Sequence, residues 1–284
     1  MKGIILAGGT GSRLSPLTLA ISKQALPIYD KPLIYYPLST LISLGINEIL
    51  IISSPDQIDG FKLLLGSGER FGISLSYKIQ DQPRGIAEAS IIGDSFIEKS
   101  SCALILGDNI FISNTINSSK VKNFKKGAHI FTIPVKDPER YGVIKTSNNR
   151  PVDIVEKPKK FISNHAVTGL YFYDNDAPLI CKKLKPSDRN ELEITDLNKV
   201  YLEKSMLTVS SMGTSDVWLD AGTFESLLDA GNYISALQKR LGRLVGSPEL
   251  TSYHQGFLSQ KDLLSSIKSA PNNSYYQSLR SSIT

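Results

Sequence analysis

The chain has few of the residues that build disulfide frameworks or histidine metal centres. Its 284 residues include two cysteines, Cys102 and Cys181, and three histidines, at positions 129, 165 and 254. The cysteines lie far apart, one in an apparent strand and one in an apparent helix, which is typical of buried, reduced thiols in a cytoplasmic protein. The histidines lack the spacing of metal ligands. We therefore expect neither a disulfide-bonded secreted protein nor a histidine-based metal site.

Long apolar runs are also missing. The first apolar run, residues 4–7, is too short for the hydrophobic region of a signal peptide, and no run approaches the length of a transmembrane helix. The net charge is +5, but the cations are scattered rather than gathered into a stripe, which disfavours nucleic-acid binding. We expect a cytoplasmic protein with no membrane or nucleic-acid partner.

The first half of the chain alternates between strand-like and helix-like segments. Predicted strands cover residues 2–7, 48–53, 75–80 and 102–107, and predicted helices cover residues 33–44, 57–65 and 85–93. This alternation predicts right-handed crossovers and a largely parallel sheet that is covered on both faces. Ligands of such sheets bind beyond the carboxyl ends of the strands.

The second half changes character. Predicted strands at 128–135, 141–146, 151–156 and 167–173, with a turn at Asn148-Asn149, indicate an antiparallel or mixed subregion. A helix at 193–204 and a strand at 207–212 follow. Beyond Thr223 we predict a helix with one apolar stripe, formed by Phe224, Leu227, Leu228, Gly231, Ile234 and Leu237. We expect a loosely ordered tail from about Ser269, and we divide the chain into a domain of residues 1–238 and a helical extension of residues 239–284.

A glycine cluster follows the first predicted strand, in Gly8-Gly9-Thr10-Gly11-Ser12-Arg13-Leu14. Glycines let a backbone approach a ligand closely, and successive amide N–H groups then form an anion site. Arg13 and Lys23 add two cations for phosphate oxygens. The cluster lacks the Gly-Lys-Ser/Thr of a Walker A loop, and Leu14 replaces the third glycine of the dinucleotide fingerprint. The pattern therefore predicts a nucleotide site of another kind.

Two aspartates are candidate Mg²⁺ ligands. Asp108 directly follows the predicted strand 102–107, and Asp220 lies in Trp218-Leu219-Asp220. Protein-bound Mg²⁺ usually takes one or two carboxylates together with phosphate oxygens and water. Either aspartate alone fits a turn or a helix cap as well, so the metal role depends on the wider pattern in which both occur.

A series of segments resembles, in chain order, the successive motifs of the glucose-1-phosphate thymidylyltransferase family of sugar-1-phosphate nucleotidylyltransferases. These segments are residues 8–14, 22–29, 31–38, 106–111, 137–143, 156–158, 166–176, 191–196 and 218–223. The resemblance spans nearly the whole chain. It implies an α/β, Rossmann-like nucleotidyltransferase fold with a mixed central sheet, a sugar-binding subregion and a helical carboxyl-terminal part.

The resemblance also implies a reaction and a set of site residues. The reaction is Mg²⁺-dependent transfer of a thymidylyl group from dTTP to glucose 1-phosphate, the first step of dTDP-L-rhamnose synthesis, in a homotetramer. The catalytic residues it implies are Arg13, Lys23, Asp108 and Asp220, of which the two aspartates hold the metal. The nucleotide-binding residues are Gly8, Gly9, Thr10, Gly11, Ser12, Gln24, Gln80, Pro83 and Gly85. The sugar-phosphate-binding residues are Asn109, Tyr141, Gly142, Glu156, Lys157, Val167, Tyr171, Arg189 and Trp218.

Two alternative functions stay open. In the family, the residue matching Gln80 reads the pyrimidine edge, and an amide can satisfy both a carbonyl acceptor and an N–H donor. Thymine and uracil share that pattern, so a UTP-using or relaxed nucleotidylyltransferase is one alternative. The other is a non-catalytic regulator that binds sugar nucleotide. Such a regulator would be expected to lose Arg13, Lys23 or the aspartates, and all of them are present.

The chain departs from the family pattern at several positions. Arg84 stands where an acidic residue is usual, and Glu88 stands where glutamine is usual. We expect Arg84 to point to water rather than to lie over phosphate. Ile112-Ser113-Asn114 and His254-Gln255 depart from the family in regions that help form a secondary nucleotide site between subunits. We therefore expect weakened or altered feedback inhibition by dTDP-rhamnose.

Overall fold

A computed structural model describes residues 1–147 and 150–283, so the predicted turn at Asn148-Asn149 lies outside the described residues. The strands are β1 (Lys2–Leu6), β2 (Pro27–Ile28), β3 (Lys31–Pro32), β4 (Glu48–Ser53), β5 (Ser74–Ile79), β6 (Cys102–Leu106), β7 (Asn109–Ile112), β8 (Ala128–Pro134), β9 (Gly142–Ser147), β10 (Arg150–Glu156), β11 (His165–Tyr173), β12 (Leu207–Ser211) and β13 (Val217–Asp220). The helices are α1 (Tyr35–Ser43), α2 (Ile58–Leu65), α3 (Glu88–Ile97), α4 (Ser118–Asn123), α5 (Ala177–Cys181), α6 (Ile194–Glu203), α7 (Phe224–Leu241), α8 (Pro248–Gln255), α9 (Gln260–Ser266) and α10 (Ser274–Ser281).

The central sheet is mixed, as the sequence pattern indicated. In the described chain it contains nine strands, and seven of them follow the order β10-β9-β11-β6-β1-β4-β5. The pairs β1–β4, β1–β6 and β4–β5 are parallel, whereas β11 pairs antiparallel with β6, β8 and β9. Apart from the parallel pair β8–β12, the parallel part comes from the first half of the chain and the antiparallel part from the middle. The fold is therefore a Rossmann-like α/β fold in which β11 joins the two parts.

Apolar side chains cover the sheet on both faces, which explains the uninterrupted apolar strands. Ile4 and Ile5 are adjacent in β1, and both are fully buried. Ile5 belongs to the core cluster that contains residues of α1 and α2, and Ile4 belongs to the cluster that contains residues of α3, α5 and α6. Because successive side chains of a strand point to opposite faces, a strand that is buried on both sides is apolar throughout.

Two predictions about individual helices were wrong in part. Helix α3 begins at Glu88 rather than at residue 85, because Gly85 has a φ of 102° and belongs to the preceding loop. In α7, Phe224 and Leu228 are exposed, and the buried residues are Ala230, Ile234 and Gln238. The predicted stripe is therefore correct at Leu227 and Ile234, which pack in the same apolar cluster, and wrong at Phe224 and Leu228.

The tail from Ser269 is also structured, contrary to expectation. Helix α10 contributes Tyr275 and Leu279 to a separate apolar cluster with residues of α8 and α9. The predicted boundary at residue 238 falls inside α7, and the division into two domains stays a prediction. No helix among residues 1–147 and 150–283 combines the length and the apolar character needed to cross a bilayer.

Candidate active site

A cavity of about 590 Å³ lies where β1 and β6 end, and it gathers most of the predicted site residues. Those that line it are Gly8, Gly9, Arg13, Lys23, Gln24, Gln80, Pro83, Gly85, Asp108, Asn109, Tyr141, Gly142, Glu156, Lys157, Val167, Tyr171, Arg189, Trp218 and Asp220. Thr10 lines an adjoining cavity of about 270 Å³, whereas Gly11 and Ser12 line neither cavity. We name the larger one the central cavity.

The glycine loop leaves β1 in a conformation that other residues rarely adopt. Gly9 has a φ of 100° and Gly11 a φ of 61°, both in the region where L side chains are strained. Residues Ser12–Leu14 then form a short 3₁₀ helix, with Leu14 fully buried and Arg13 exposed toward the central cavity. The buried leucine therefore anchors the loop beneath an arginine that is free to meet an anion.

Asp108 and Asp220 come together because β7 and β13 pair antiparallel. Asp220 lies opposite Asn109 in that pair, and the backbone N–H of Ala221 donates to the carbonyl of Asp108 at 3.2 Å. Lys23 donates to the Asp108 carboxylate, and the Asn109 amide donates to its other oxygen at 2.8 Å. Two acidic side chains more than a hundred residues apart in sequence thus share one wall of the central cavity.

The pKa values of the two aspartates are shifted in opposite directions. Burial opposes ionisation of Asp108, but the neighbouring Lys23 outweighs it, and the pKa of Asp108 lies below its usual range. Burial and the charge of Asp108 raise the pKa of Asp220. A cation bound between the two carboxylates would stabilise the ionised form of Asp220, because it would offset the repulsion from Asp108.

The carboxylates of Asp108 and Asp220 fit a divalent cation that takes its other ligands from substrate and water. Among the described residues, no cluster of three or more histidine, cysteine, aspartate or glutamate side chains could hold a metal. Two carboxylates with open space beside them match Mg²⁺, which takes its remaining ligands from phosphate and water. Asp108 and Asp220 would hold it.

Arg140 is a cavity residue that the sequence analysis did not assign. Its guanidinium donates to Asp137 at 2.6 Å and lies 3.6 Å from the Asp220 carboxylate. It also lies over the Tyr141 ring, 5.2 Å from the centroid. Burial raises the pKa of Tyr141 to about 12, so this phenol stays neutral. One indication of its importance was available from the sequence, because Arg140 lies inside segment 137–143, which carries the family resemblance.

A second group of residues in the central cavity is built around Glu156, and it forms the end predicted to bind the sugar phosphate. Pairing of β9 with β10 places Glu156 beside Gly142, and Thr195 donates to the Glu156 carboxylate at 2.6 Å. The guanidinium of Arg189 lies 3.5 Å from Glu156 and donates to both carboxylate oxygens of Glu193 at 2.9 Å. This end therefore combines carboxylate acceptors with an arginine, a combination suited to hydroxyl groups beside a phosphate.

Asn109 connects the two ends of the central cavity. Its Oδ1 accepts from the Trp218 indole N–H at 2.6 Å and from the Gly169 backbone N–H at 3.2 Å. A Cβ at Gly169 would lie only 2.4 Å from this oxygen, so the close approach depends on glycine. Tyr141 packs edge-on against Trp218, with 5.1 Å between ring centroids.

Gln80 and the loop after it form a third part of the wall. Gln80 is 5% exposed, and its Nε2 donates to Glu88 at 2.7 Å. Arg84 forms an ion pair with Glu88 at 2.8 Å and so does not simply point to water, which corrects the expectation. The loop is held by Leu192, whose N–H donates to the Arg84 carbonyl at 2.7 Å.

Several residues that line the central cavity are not among the site residues that the sequence predicts. They are Leu6, Ile86, Leu106, Arg140, Gly169, Glu191, Glu193, Ile194 and Thr195. Most lie inside segments that carried the family resemblance, which was the signal available for them. Nothing local showed that their side chains face the same space, because that depends on strand pairing across the sheet.

Comparisons with known proteins find similar sequences over nearly the whole chain. A family model described as "Nucleotidyl transferase" matches residues 2–236. A glucose-1-phosphate thymidylyltransferase from Neisseria meningitidis is 47% identical over 282 residues, covering 98% of each chain. One from Mycolicibacterium smegmatis is 45% identical over 278 residues, covering 97% of this chain and 96% of that one.

Solved structures point the same way. A crystal structure from Bacillus anthracis that carries the same enzyme name, in complex with sucrose, is 43% identical with a TM-score of 0.77. It covers 82% of this chain and 94% of its own. A UDP-glucose pyrophosphorylase in complex with UDP-glucose is 26% identical with a TM-score of 0.72, covering 84% of this chain and 98% of its own.

Proposed function

Because the chain belongs to the glucose-1-phosphate thymidylyltransferases of the nucleotidyl transferase family, we propose that it transfers a thymidylyl group from dTTP to α-D-glucose 1-phosphate. The observation that carries the proposal is the central cavity itself. One continuous space joins a glycine loop with two cations, a pair of facing aspartates, and a sugar-type pocket around Glu156.

The proposed reaction needs no general base. A phosphate oxygen of glucose 1-phosphate attacks the α-phosphorus of dTTP, the bond from that phosphorus to the β-phosphate oxygen breaks, and pyrophosphate leaves. The attacking oxygen is already an anion, so positioning and neutralisation of charge supply the rate. None of the three histidines, at 129, 165 and 254, lines the central cavity.

Cations of this chain face the proposed path of the phosphates. Arg13, Lys23 and Arg140 all line the cavity, and Arg140 lies 3.6 Å from the Asp220 carboxylate. We infer that Arg13 stabilises charge on the departing pyrophosphate and that Lys23 bridges phosphates near the reacting centre. Bound Mg²⁺, held by Asp108 and Asp220, would supply further positive charge at the α-phosphate.

The sugar phosphate has its own binding groups. Glu156 presents acceptor oxygens for sugar hydroxyls, and Lys157, about half exposed at the rim, is placed to meet the phosphate. Tyr171 and Val167 are buried in the wall and supply apolar contact. We propose these roles from the family resemblance, and the types of the side chains in the cavity support them.

Use of UTP is the second candidate. The chain is 26% identical to a UDP-glucose pyrophosphorylase that has the same fold. Thymine and uracil differ by one methyl group, which is worth only about 1–3 kcal/mol of discrimination in a pocket. We propose a preference for dTTP with measurable activity toward UTP.

We also propose that the enzyme acts in the cytoplasm, at the first step of dTDP-L-rhamnose synthesis, as a homotetramer. The exposed side chains of Phe224 and Leu228 on α7 support assembly, because large apolar side chains at a surface favour contact with another chain. Light scattering of the purified protein gives its mass directly, and a monomer would contradict the assembly.

The first test is pyrophosphate release from glucose 1-phosphate with dTTP or UTP, in the presence of Mg²⁺ or EDTA. We expect metal-dependent turnover that is faster with dTTP. Asp108→Asn should lower kcat by at least about 100-fold, because it removes charge at the reacting centre. Asp59→Asn, which changes an exposed carboxylate in a surface ion pair, is the matched control and should leave kcat unchanged. No turnover by folded protein would favour the regulatory alternative.

A further inference from the structure

Three side chains form a path of contacts from the protein surface to the central cavity. Arg84, whose side chain is 60% exposed, directs its Nε and Nη2 at one oxygen of Glu88, each at 2.8 Å. The other oxygen of Glu88 accepts from Gln80 Nε2 at 2.7 Å. Gln80 and Glu88 are 5% and 6% exposed. A buried carboxylate therefore holds the side chain that lines the cavity.

The acid at position 88 determines which way the Gln80 amide faces. A carboxylate accepts hydrogen bonds but cannot donate them, so it requires the NH₂ group of Gln80 on its side. With the amide reversed, two oxygens would face each other at hydrogen-bond distance. The Gln80 Nε2 also points at the Gly85 carbonyl at 3.5 Å. Both hydrogens of the amide nitrogen are thus directed at protein acceptors.

The Gln80 carbonyl oxygen is left for a ligand. Within the described part of the chain it accepts no hydrogen bond, and Gln80 lines the central cavity. It lies beside Gly8, where a Cβ would come within 2.7 Å of it. The absence of a side chain at Gly8 keeps this oxygen accessible from the glycine loop.

We propose that Glu88, held by Arg84, is a positioning residue that makes Gln80 a pure hydrogen-bond acceptor and thereby selects bases with a ring N–H. The inference rests on the proposed function and names the residues that determine its selectivity for the nucleotide base. Thymine and uracil carry a hydrogen on N3, which the Gln80 oxygen accepts. Cytosine carries a lone pair on N3, which that oxygen repels. The sequence analysis expected the Gln80 amide to contact both a carbonyl and an N–H group of the base. In this proposal Gln80 contacts only the N–H group.

Arg84 completes the arrangement by pairing with Glu88. Its guanidinium is permanently charged and directs two of its donors at one oxygen of Glu88, which leaves the other oxygen to accept from Gln80. A glutamine at position 88 would fix Gln80 less firmly, because its own amide can donate as well as accept and can pair with either orientation of the Gln80 amide. The Gly85 carbonyl alone would then favour the orientation described here.

The test is a calorimetric comparison of dTDP and dCDP binding to the whole protein without sugar. The variants are Glu88→Gln, Gln80→Leu, the two combined, and Arg84→Met. Lys182→Met is the control, because Lys182 is also a roughly half-exposed cation in an ion pair, and neither it nor its partner Asp94 lines the central cavity. We expect the preference of the wild type for dTDP to fall about tenfold in Glu88→Gln, the effect of one favourable hydrogen bond.

The double variant separates positioning from folding. If Glu88 acts through Gln80, adding Glu88→Gln to Gln80→Leu changes the dTDP-to-dCDP ratio no further. Arg84→Met, an exposed change that spares the core, should lower the ratio to a smaller extent, and Lys182→Met should leave it unchanged. An unchanged ratio in both Glu88→Gln and Arg84→Met, or a wild type that binds both nucleotides equally, would overturn the inference.

Failure of the inference can be told apart from failure of the proposed function. A wild type that prefers dTDP but releases no pyrophosphate from dTTP would contradict the function while retaining the selection device. A wild type that turns over dTTP but binds dTDP and dCDP equally well would contradict the base selection and support the function. Melting temperatures of all variants show whether any change in binding reflects loss of the fold.

Discussion

Replacing Gly169 by alanine should destabilise the protein through one oxygen atom of Asn109. A Cβ at position 169 would lie 2.4 Å from Asn109 Oδ1 and 2.9 Å from a methyl carbon of Leu106. Asn109 is 2% exposed and is held by hydrogen bonds to Trp218, Gly169 and Asp108, so it cannot move aside without breaking them. The new methyl group must therefore displace the asparagine or shift strand β11.

The magnitude follows from the hydrogen bonds that depend on that side chain. Asn109 accepts from Trp218 and Gly169 and donates to Asp108. Three bonds at about 1 kcal/mol each amount to about 3 kcal/mol. Alanine gains about 0.5–1 kcal/mol over glycine within a strand, and overpacking costs about 1–3 kcal/mol. We expect a net loss of about 3–5 kcal/mol in the free energy of unfolding.

Urea denaturation of four proteins measures this directly: wild type, Gly169→Ala, Asn109→Ala and the double variant. Asn109→Ala loses the same bonds and should cost about 3 kcal/mol, but it also vacates the space that the new methyl group needs. The double variant should therefore be no less stable than Asn109→Ala alone, which is a strongly non-additive result. Additive losses would refute the reasoning, because they would mean that the methyl group clashes with something other than Asn109.

Three further predictions concern a loop, a histidine and a tyrosine. Gly85→Ala places a Cβ 2.4 Å from backbone at a φ of 102°, so KM for dTTP should rise at least about tenfold, whereas Gly242→Ala, also at positive φ but facing open space, should leave KM unchanged. Burial and a neighbouring lysine lower the pKa of His129 to about 4, so the unfolded chain binds more protons between that pH and 6.5. The wild type should lose roughly 2 kcal/mol more stability than His129→Gln as pH falls through this window, after allowance for partial exposure, and equal losses in denaturant titrations would contradict this. Tyr201→Phe removes the hydroxyl that donates to buried Asp174 at 2.5 Å and should cost about 2 kcal/mol in urea denaturation; no change would show that Asp174 finds another partner.

Local sequence patterns were sufficient for most elements of the sheet. Strands β1, β4, β6 and β11 were predicted to within two residues, because short apolar runs between glycines and polar turns are a signal that needs no distant contact. The mixed character of the sheet was predicted for the same reason, since helical spacing ceases in the middle of the chain. The errors arose where distant contacts decide local structure.

The start of α3 and the tail show how distant contacts decide. Gly85 packs against the backbone of Leu192, which holds the loop open and delays the helix to Glu88. The tail contains many polar residues, but Tyr275 and Leu279 find apolar partners among α8 and α9. Composition reports the average polarity of such a segment and not the few side chains that anchor it.

For the active site, the sequence by itself determined which chemical groups are available. It placed glycines and Arg13 after β1, and an aspartate after β6, where parallel strands present their ends to a ligand. The tertiary structure alone decided how these groups pair. Register between β7 and β13 sets Asp220 beside Asp108, and the fold brings Arg140 to Asp220 and Glu88 to Gln80. The physical reason is that residue type follows local burial and backbone conformation, whereas a pairing depends on a strand register that many distant apolar contacts establish together.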